Sequence, residues 1–236
     1  MNKRKAKVVF LFSGLQGGGA QRVMLTLSRH LDRSRFAPEL IIGLAGWELD
    51  GHWPDDIPVH SLGYKRFRQA LPGIIARLWR IRPDVIICST GHANLALLAL
   101  RYILPGSPKI VIREPNTPSK SLAGSSAPGL FRWAYRVFYK RADAIICQSD
   151  WIANELRNDF AVAAERLHRL RNPVDIDAMR RAAGTVQRHP GDGVRFIAAG
   201  RLTHQKGFDR LLDHFAALPA QAHLTLVGNG PDEQKL

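Results

Sequence analysis

The sequence alternates between two kinds of apolar pattern along most of its length. Short, continuous apolar runs are followed, again and again, by stretches with apolar residues at helical spacing. A run such as Val8-Val9-Phe10-Leu11-Phe12 is apolar on both faces and ends near Gly14. It suits a strand buried from both sides, and parallel sheets covered by helices bury strands that way. The same reading places strands at 39–43, 57–62, 84–89, 109–113, 143–148 and 167–170. Helices are expected at 20–31, 70–81, 92–104, 127–141 and 150–158, the third stopped by Pro105. Strand-helix alternation of this kind predicts an α/β fold with a parallel, Rossmann-like sheet.

The pattern breaks at Asn172-Pro173-Val174-Asp175 and at a polar stretch carrying Gly184, Pro190, Gly191 and Gly193. It then restarts with a strand at 194–199, a helix at 207–218 and a strand at 222–227. The expected organisation is therefore an amino-terminal domain over 1–173, a linker region over 174–193 and a second Rossmann-like domain over 194–236. At 236 residues the chain has room for roughly one and a half domains of about 150 residues. The second domain is expected to be incomplete.

Composition excludes several classes. With 45% hydrophobic and 23% charged residues the chain is globular rather than disordered. Its two cysteines, Cys88 and Cys147, lie in apolar runs, which excludes a disulfide scaffold and fits a reducing compartment. No apolar stretch reaches the roughly 18 residues of a membrane span, and the basic start at Lys3-Arg4-Lys5 is followed by too short an apolar run for a signal peptide. A cytoplasmic protein is expected. The formal charge of +14 favours polyanionic or phosphorylated partners.

Three loops carry candidate chemistry. Ser13-Gly14-Leu15-Gln16-Gly17-Gly18-Gly19-Ala20 joins the first strand to the first helix, where glycines let a ligand approach and helix N–H groups face an anion. It has no Gly-Lys-Ser/Thr and misses Gly-x-Gly-x-x-Gly, so neither a triphosphate P-loop nor a dinucleotide fingerprint is present. Gly200-Arg201-Leu202-Thr203-His204-Gln205-Lys206-Gly207 follows the restarted strand and sets two cations beside a helix start, an arrangement suited to a diphosphate or simply to solvated surface charge. Val227-Gly228-Asn229-Gly230-Pro231 alone reads as a turn.

Together these segments resemble the retaining nucleotide-sugar glycosyltransferases of family 4, which have the GT-B architecture of two facing Rossmann-like domains. Gly17-Gly18-Gly19-Ala20-Gln21-Arg22-Val23 looks like that family's amino-terminal loop, and Asn172-Pro173-Val174-Asp175 like its interdomain connection. Gly200-Arg201-Leu202 with Lys206-Gly207-Phe208, then Val227-Gly228-Asn229-Gly230-Pro231, looks like the start of its donor domain. The resemblance implies that Arg201 and Lys206 grip the donor diphosphate and steady it as leaving group. It implies phosphate-binding roles for Gly17, Gly18, Gly19, Gly200, Gly228 and Gly230. It also implies chemistry without a metal or cofactor, and transfer with retention to a glycan or lipid-linked acceptor such as those of cell-envelope polysaccharide or lipopolysaccharide synthesis. His92, Asn94, Glu114 and Asn116 are acceptor-side candidates. Members commonly carry a histidine after a late strand of the first domain; here Ile112-Arg113-Glu114-Pro115-Asn116 has none. The family's downstream glutamate pair would fall beyond Leu236, so little transfer is expected of the 236 residues alone.

The basic residues also have a pattern. Lys65, Arg66, Arg68, Arg77, Arg80 and Arg82 fall in one stretch, and 131–141 interleaves aromatics with cations. Peripheral docking on the anionic inner face of the cell membrane is one expectation; packing of Trp133, Val137 and Phe138 on the sheet, with solvated cations, is the other. A non-catalytic basic module that binds acidic glycan or lipid is the alternative function. No nucleic-acid-binding motif is present, so nucleic acid is not expected. A nicotinamide oxidoreductase is a third reading, weakened by the missing fingerprint.

Overall fold

The computed structural model describes residues 4–15, 18–46, 55–184 and 193–236. The chain divides into two compact units, Met1–Asp177 and Ala178–Leu236.

In the first unit the strands are β1 (Ala6–Phe12), β2 (Phe36–Leu44), β3 (Val59–Tyr64), β4 (Val85–Cys88), β5 (Lys109–Glu114), β6 (Ala144–Cys147) and β7 (Leu167–Arg169). They form one seven-stranded sheet in the order β3-β2-β1-β4-β5-β6-β7. All its pairings are parallel. The helices are α1 (Gly19–Arg29), α2 (Phe67–Ile81), α3 (Gly91–Ala99), α4 (Pro118–Ala123), α5 (Pro128–Phe138) and α6 (Asp150–Phe160).

Successive strand residues point to opposite faces, so each apolar run feeds two cores. On one face Val8, Phe10 and Phe12 pack with Met24 and Leu25 of α1. On the other, Val9 and Leu11 join Ala70, Ile74 and Leu78 of α2 and the buried residues of α3, α5 and α6. Helices on both faces are what continuous apolar strands require.

Several elements differ from the sequence expectation. The third helix ends at Ala99 rather than 104, and a 3₁₀ turn, Arg101–Ile103, follows. The turn lets Arg101 reach Asp143, Nη1 to Oδ2 at 2.6 Å, and the Arg141 carbonyl. Trp133, weighed as a core residue, is 56% exposed; Tyr135 and Tyr139 fill that core position instead. Of the Lys65–Arg82 cations, Lys65, Arg66 and Arg68 lie at the start of α2, a helix of 15 residues, and Arg77, Arg80 and Arg82 toward its end. At 1.5 Å per residue its ends are about 22 Å apart. Part of the expected linker region is helical, as α7 (Ile176–Ala183); residues 185–192 lie outside the described residues.

In the second unit β8 (Arg195–Ala199) and β9 (His223–Val227) pair in parallel, with α8 (Phe208–Phe215) as the crossover helix. Phe196 meets Phe215 edge-on at 5.8 Å, and Leu202 and Phe208 are buried.

Candidate functional site

Open α/β sheets bind ligands beyond the carboxyl ends of their strands, at the point where strand order reverses. In the first unit that point lies between β1 and β4. There Ser13, just after β1, and Thr90, just after β4, place their hydroxyl oxygens 3.3 Å apart. Gly18 caps α1 and its carbonyl accepts from Gln21 and Arg22 N–H. A side chain at Gly19 would meet nothing within 4 Å. Packing inside the protein therefore does not demand glycine there. Gly17 lies outside the described residues.

The end of β5 carries two buried charged residues. Arg113 and Glu114 are each 2% exposed. As neighbours on one strand they turn to opposite faces of the sheet. Arg113 donates from Nη1 to Ser89 Oγ at 2.9 Å and from Nη2 to Asn172 Oδ1 at 2.7 Å. It thereby ties the Asn172-Pro173 segment to the sheet. Burial lowers its pKa and the adjacent Glu114 opposes that shift. Glu114 accepts from the Tyr139 hydroxyl at 2.5 Å and from the Tyr135 hydroxyl at 3.4 Å. Burial raises its carboxyl from 4.5 to about 7, against the lowering effect of those hydroxyls, the Asn116 backbone N–H and Arg113.

Asn94 is fully buried in α3, and its Nδ2 donates to the Arg113 carbonyl at 3.1 Å. Asn94 and Glu114 are thus parts of the scaffold at this edge. His92 and Asn116 are the two acceptor-side candidates open to solvent. The His92 ring packs edge-on against Phe67 at 5.0 Å, and loss of water on that side lowers its pKa. Sequence reasoning did not single out Arg113, Tyr139 or Asn172 as site residues. The available signal was an arginine closing an apolar strand, where an unpaired charge would be costly.

The second unit brings two sequence motifs together. β8 and β9 run side by side in parallel, so the loops that leave their carboxyl ends meet. Gly200 N–H donates to the Val227 carbonyl at 2.9 Å, and Leu202 N–H to the Asn229 carbonyl at 2.8 Å. Gly228 has φ +150, and a Cβ there would fall 1.9 Å from the Gly200 carbonyl oxygen. A Cβ at Gly230 would fall 2.2 Å from the Leu202 carbonyl oxygen. Both glycines are required by this backbone contact, which a turn alone does not explain. The contact fixes the loop that carries Arg201 and Lys206, both exposed, the latter ending a 3₁₀ turn before α8. A depression of about 180 Å³ lies beside it, lined by residues including Thr203, Phe208, Asp209 and Asp232, but by neither cation. Among the described residues no three His, Cys, Asp or Glu side chains are grouped to hold a metal ion. Among them, too, no helix is long and apolar enough to cross a membrane.

Residues 17–178 match Glycosyltransferase Family 4, and the chain belongs to that family. It is 24% identical over 176 residues to an uncharacterized glycosyltransferase of Methanocaldococcus jannaschii, an alignment covering 69% of this chain and 43% of that protein. The apo lipopolysaccharide outer core galactosyltransferase WaaB is similar in structure, with TM-score 0.65 and 20% identity, covering 97% of this chain and 62% of WaaB. Anabaena HepE in complex with UDP gives TM-score 0.70 and 20% identity, covering 97% of this chain and 63% of HepE. These likenesses show the fold: the seven-stranded unit matches the amino-terminal Rossmann-like domain of GT-B glycosyltransferases. The chain spans less than two thirds of the length of each of these three relatives.

Proposed function

We propose that this protein serves the transfer of a sugar from a nucleotide-diphosphate sugar to a glycan or lipid-linked acceptor, with retention of configuration. Arg201 and Lys206 hold the diphosphate and stabilise the charge that develops on it as the sugar departs, in place of a metal ion. The observation that carries this reading is the packing of the Gly200–Leu202 backbone on the Gly228–Gly230 turn. It holds a loop with two cations at the carboxyl ends of paired parallel strands, where α/β sheets take phosphorylated ligands. The open start of α1, with room at Gly19, supplies further N–H groups for phosphate or acceptor. The UDP bound to HepE supports a uridine nucleotide as the first donor to try. Leu130 and Trp133, exposed on α5 beside exposed Arg132 and Arg136, support an anionic membrane surface as the place where a lipid-linked acceptor is met.

The test is calorimetric titration with UDP. Arg201→Ala and Lys206→Ala should each weaken binding by about tenfold, the scale of one charge-assisted contact to phosphate. Undiminished affinity in both variants, or no binding by the unaltered protein, contradicts the assignment.

A further inference from the structure

We propose that the first unit carries a second anion site, built for a phosphate group, at the amino edge of its sheet and so at the opposite edge from Arg113 and Glu114. Three short 3₁₀ turns meet there. Arg101–Ile103 precedes β5, Tyr139–Arg141 precedes β6, and Ala164–Arg166 precedes β7. Between them lies an open cavity of about 490 Å³ whose walls include Arg101, Lys140, Arg141 and Arg166 against two carboxylates, Asp143 and Glu165. Asp143 is already engaged by Arg101, by Lys109 Nζ at 3.1 Å and by the Ile110 N–H at 2.9 Å. Four cations against two carboxylates leave the cavity cationic.

Its guanidinium groups are held in place. Arg101 donates from Nη1 to the Arg141 carbonyl at 2.5 Å. Arg166 donates from Nη1 to the carbonyls of Lys140 and of Ala142. Arg141 lies over two rings, 5.2 Å from the Tyr102 centroid and 4.8 Å from that of Phe138. Among the described residues the hydrogen bonds of Arg101 and Arg166 all leave from Nη1, so Nη2 and Nε stay available to a ligand. A planar fork that is already fixed loses little freedom when it takes an oxyanion, and its geometry matches phosphate. Lys140 is exposed at the rim and adds a point charge.

The surroundings indicate what the phosphate is attached to. Tyr102 is 78% exposed, and Ile103 and Trp79 beside it are also exposed. Trp79 Nε1 donates to the Ile103 carbonyl at 3.2 Å, which joins the three into an apolar shelf next to the cations. The chemistry recognised is a phosphate on an apolar or aromatic body, either a phospholipid headgroup or a free phosphorylated molecule.

The experiment is residue-resolved amide NMR of the chain with inorganic pyrophosphate, repeated on Lys140→Glu. That variant leaves the backbone contacts of the turn in place, and its circular dichroism is compared with the unaltered protein. Pyrophosphate should move the amides of 101–103 and 139–142, and Lys140→Glu should weaken that response at least about fivefold, the effect of replacing a favourable charge by a repulsive one. Amides of 201–206 report the donor loop separately, so failure at one site leaves the other standing. A second arm uses vesicles of phosphatidylcholine with and without phosphatidylglycerol. Anionic-vesicle binding lost in Lys140→Glu assigns the site to a lipid headgroup; vesicle binding that is absent or insensitive to the variant, while the variant still weakens the pyrophosphate response, assigns it to a free phosphate. If the arginines serve only to satisfy helix-terminal carbonyls, the 101–103 and 139–142 amides will not respond, or will respond equally in the variant, and the proposal fails.

Discussion

Replacing Glu114 by Gln should remove a pH dependence from folding stability. Glu114 is buried against Tyr135, Tyr139 and Arg113, and its carboxyl stands at about 7 rather than 4.5. Because the folded state holds the proton more tightly than the unfolded chain, this residue favours folding most below about pH 4.5. The benefit is lost as pH rises through the window from about 4.5 to about 7, and the loss then levels off. At 1.36 kcal/mol per pH unit the rise from 4.5 to about 7 corresponds to about 3 kcal/mol. Glutamine keeps an oxygen for the tyrosine hydroxyls and does not ionise. Its own packing cost is the same at every pH. Urea unfolding of both proteins at intervals from about pH 4 to about pH 8 isolates the contribution, since other groups titrate equally in the two. The stability of Glu114→Gln relative to the unaltered protein should climb by about 3 kcal/mol across the window. Parallel curves would contradict this and would mean that the carboxyl ionises as it does in water.

Two further variants probe the geometry. Gly228→Ala places a Cβ 1.9 Å from the Gly200 carbonyl at a φ suited to glycine. It should open the loop contact at a cost of about 2–4 kcal/mol, seen as faster amide exchange at Gly200 and Leu202; unchanged exchange contradicts it. Arg113→Met leaves the buried Ser89 hydroxyl without this partner and releases the exposed Asn172, and should lower unfolding stability by about 1–2 kcal/mol. It should also raise the Glu114 midpoint further, since the neighbouring cation now lowers it; an unmoved midpoint counts against that coupling.

The sheet was largely legible because parallel strands buried on both faces leave continuous apolar runs, as in Val8–Phe12 and Ile145–Cys147. Helix ends were less so. The apolar run after His92 reads as one helix to Leu104, and the partners of Arg101 in the tightened turn, Asp143 and the Arg141 carbonyl, lie far along the chain. α4 is short and polar-flanked, with no periodicity long enough to reveal it. The meeting of Gly200 with Gly228 depends on the β8–β9 register, which spacing along the chain does not encode; resemblance to a family grouped those motifs, and the backbone contact supplied the reason. Arg113 was hidden for a different reason. An arginine at the end of a strand reads as surface charge until Asn172, 59 residues away, is seen bound to it.

The loop from Arg201 to Lys206 is proposed to take the diphosphate of a nucleotide sugar. A crystal structure of the chain soaked with UDP tests it most directly. Density for the diphosphate is expected within hydrogen-bonding distance of the Arg201 guanidinium and the Lys206 ammonium, close to the Gly200 and Gly228 backbone. A nucleotide bound elsewhere, with both cations turned to solvent, would contradict it.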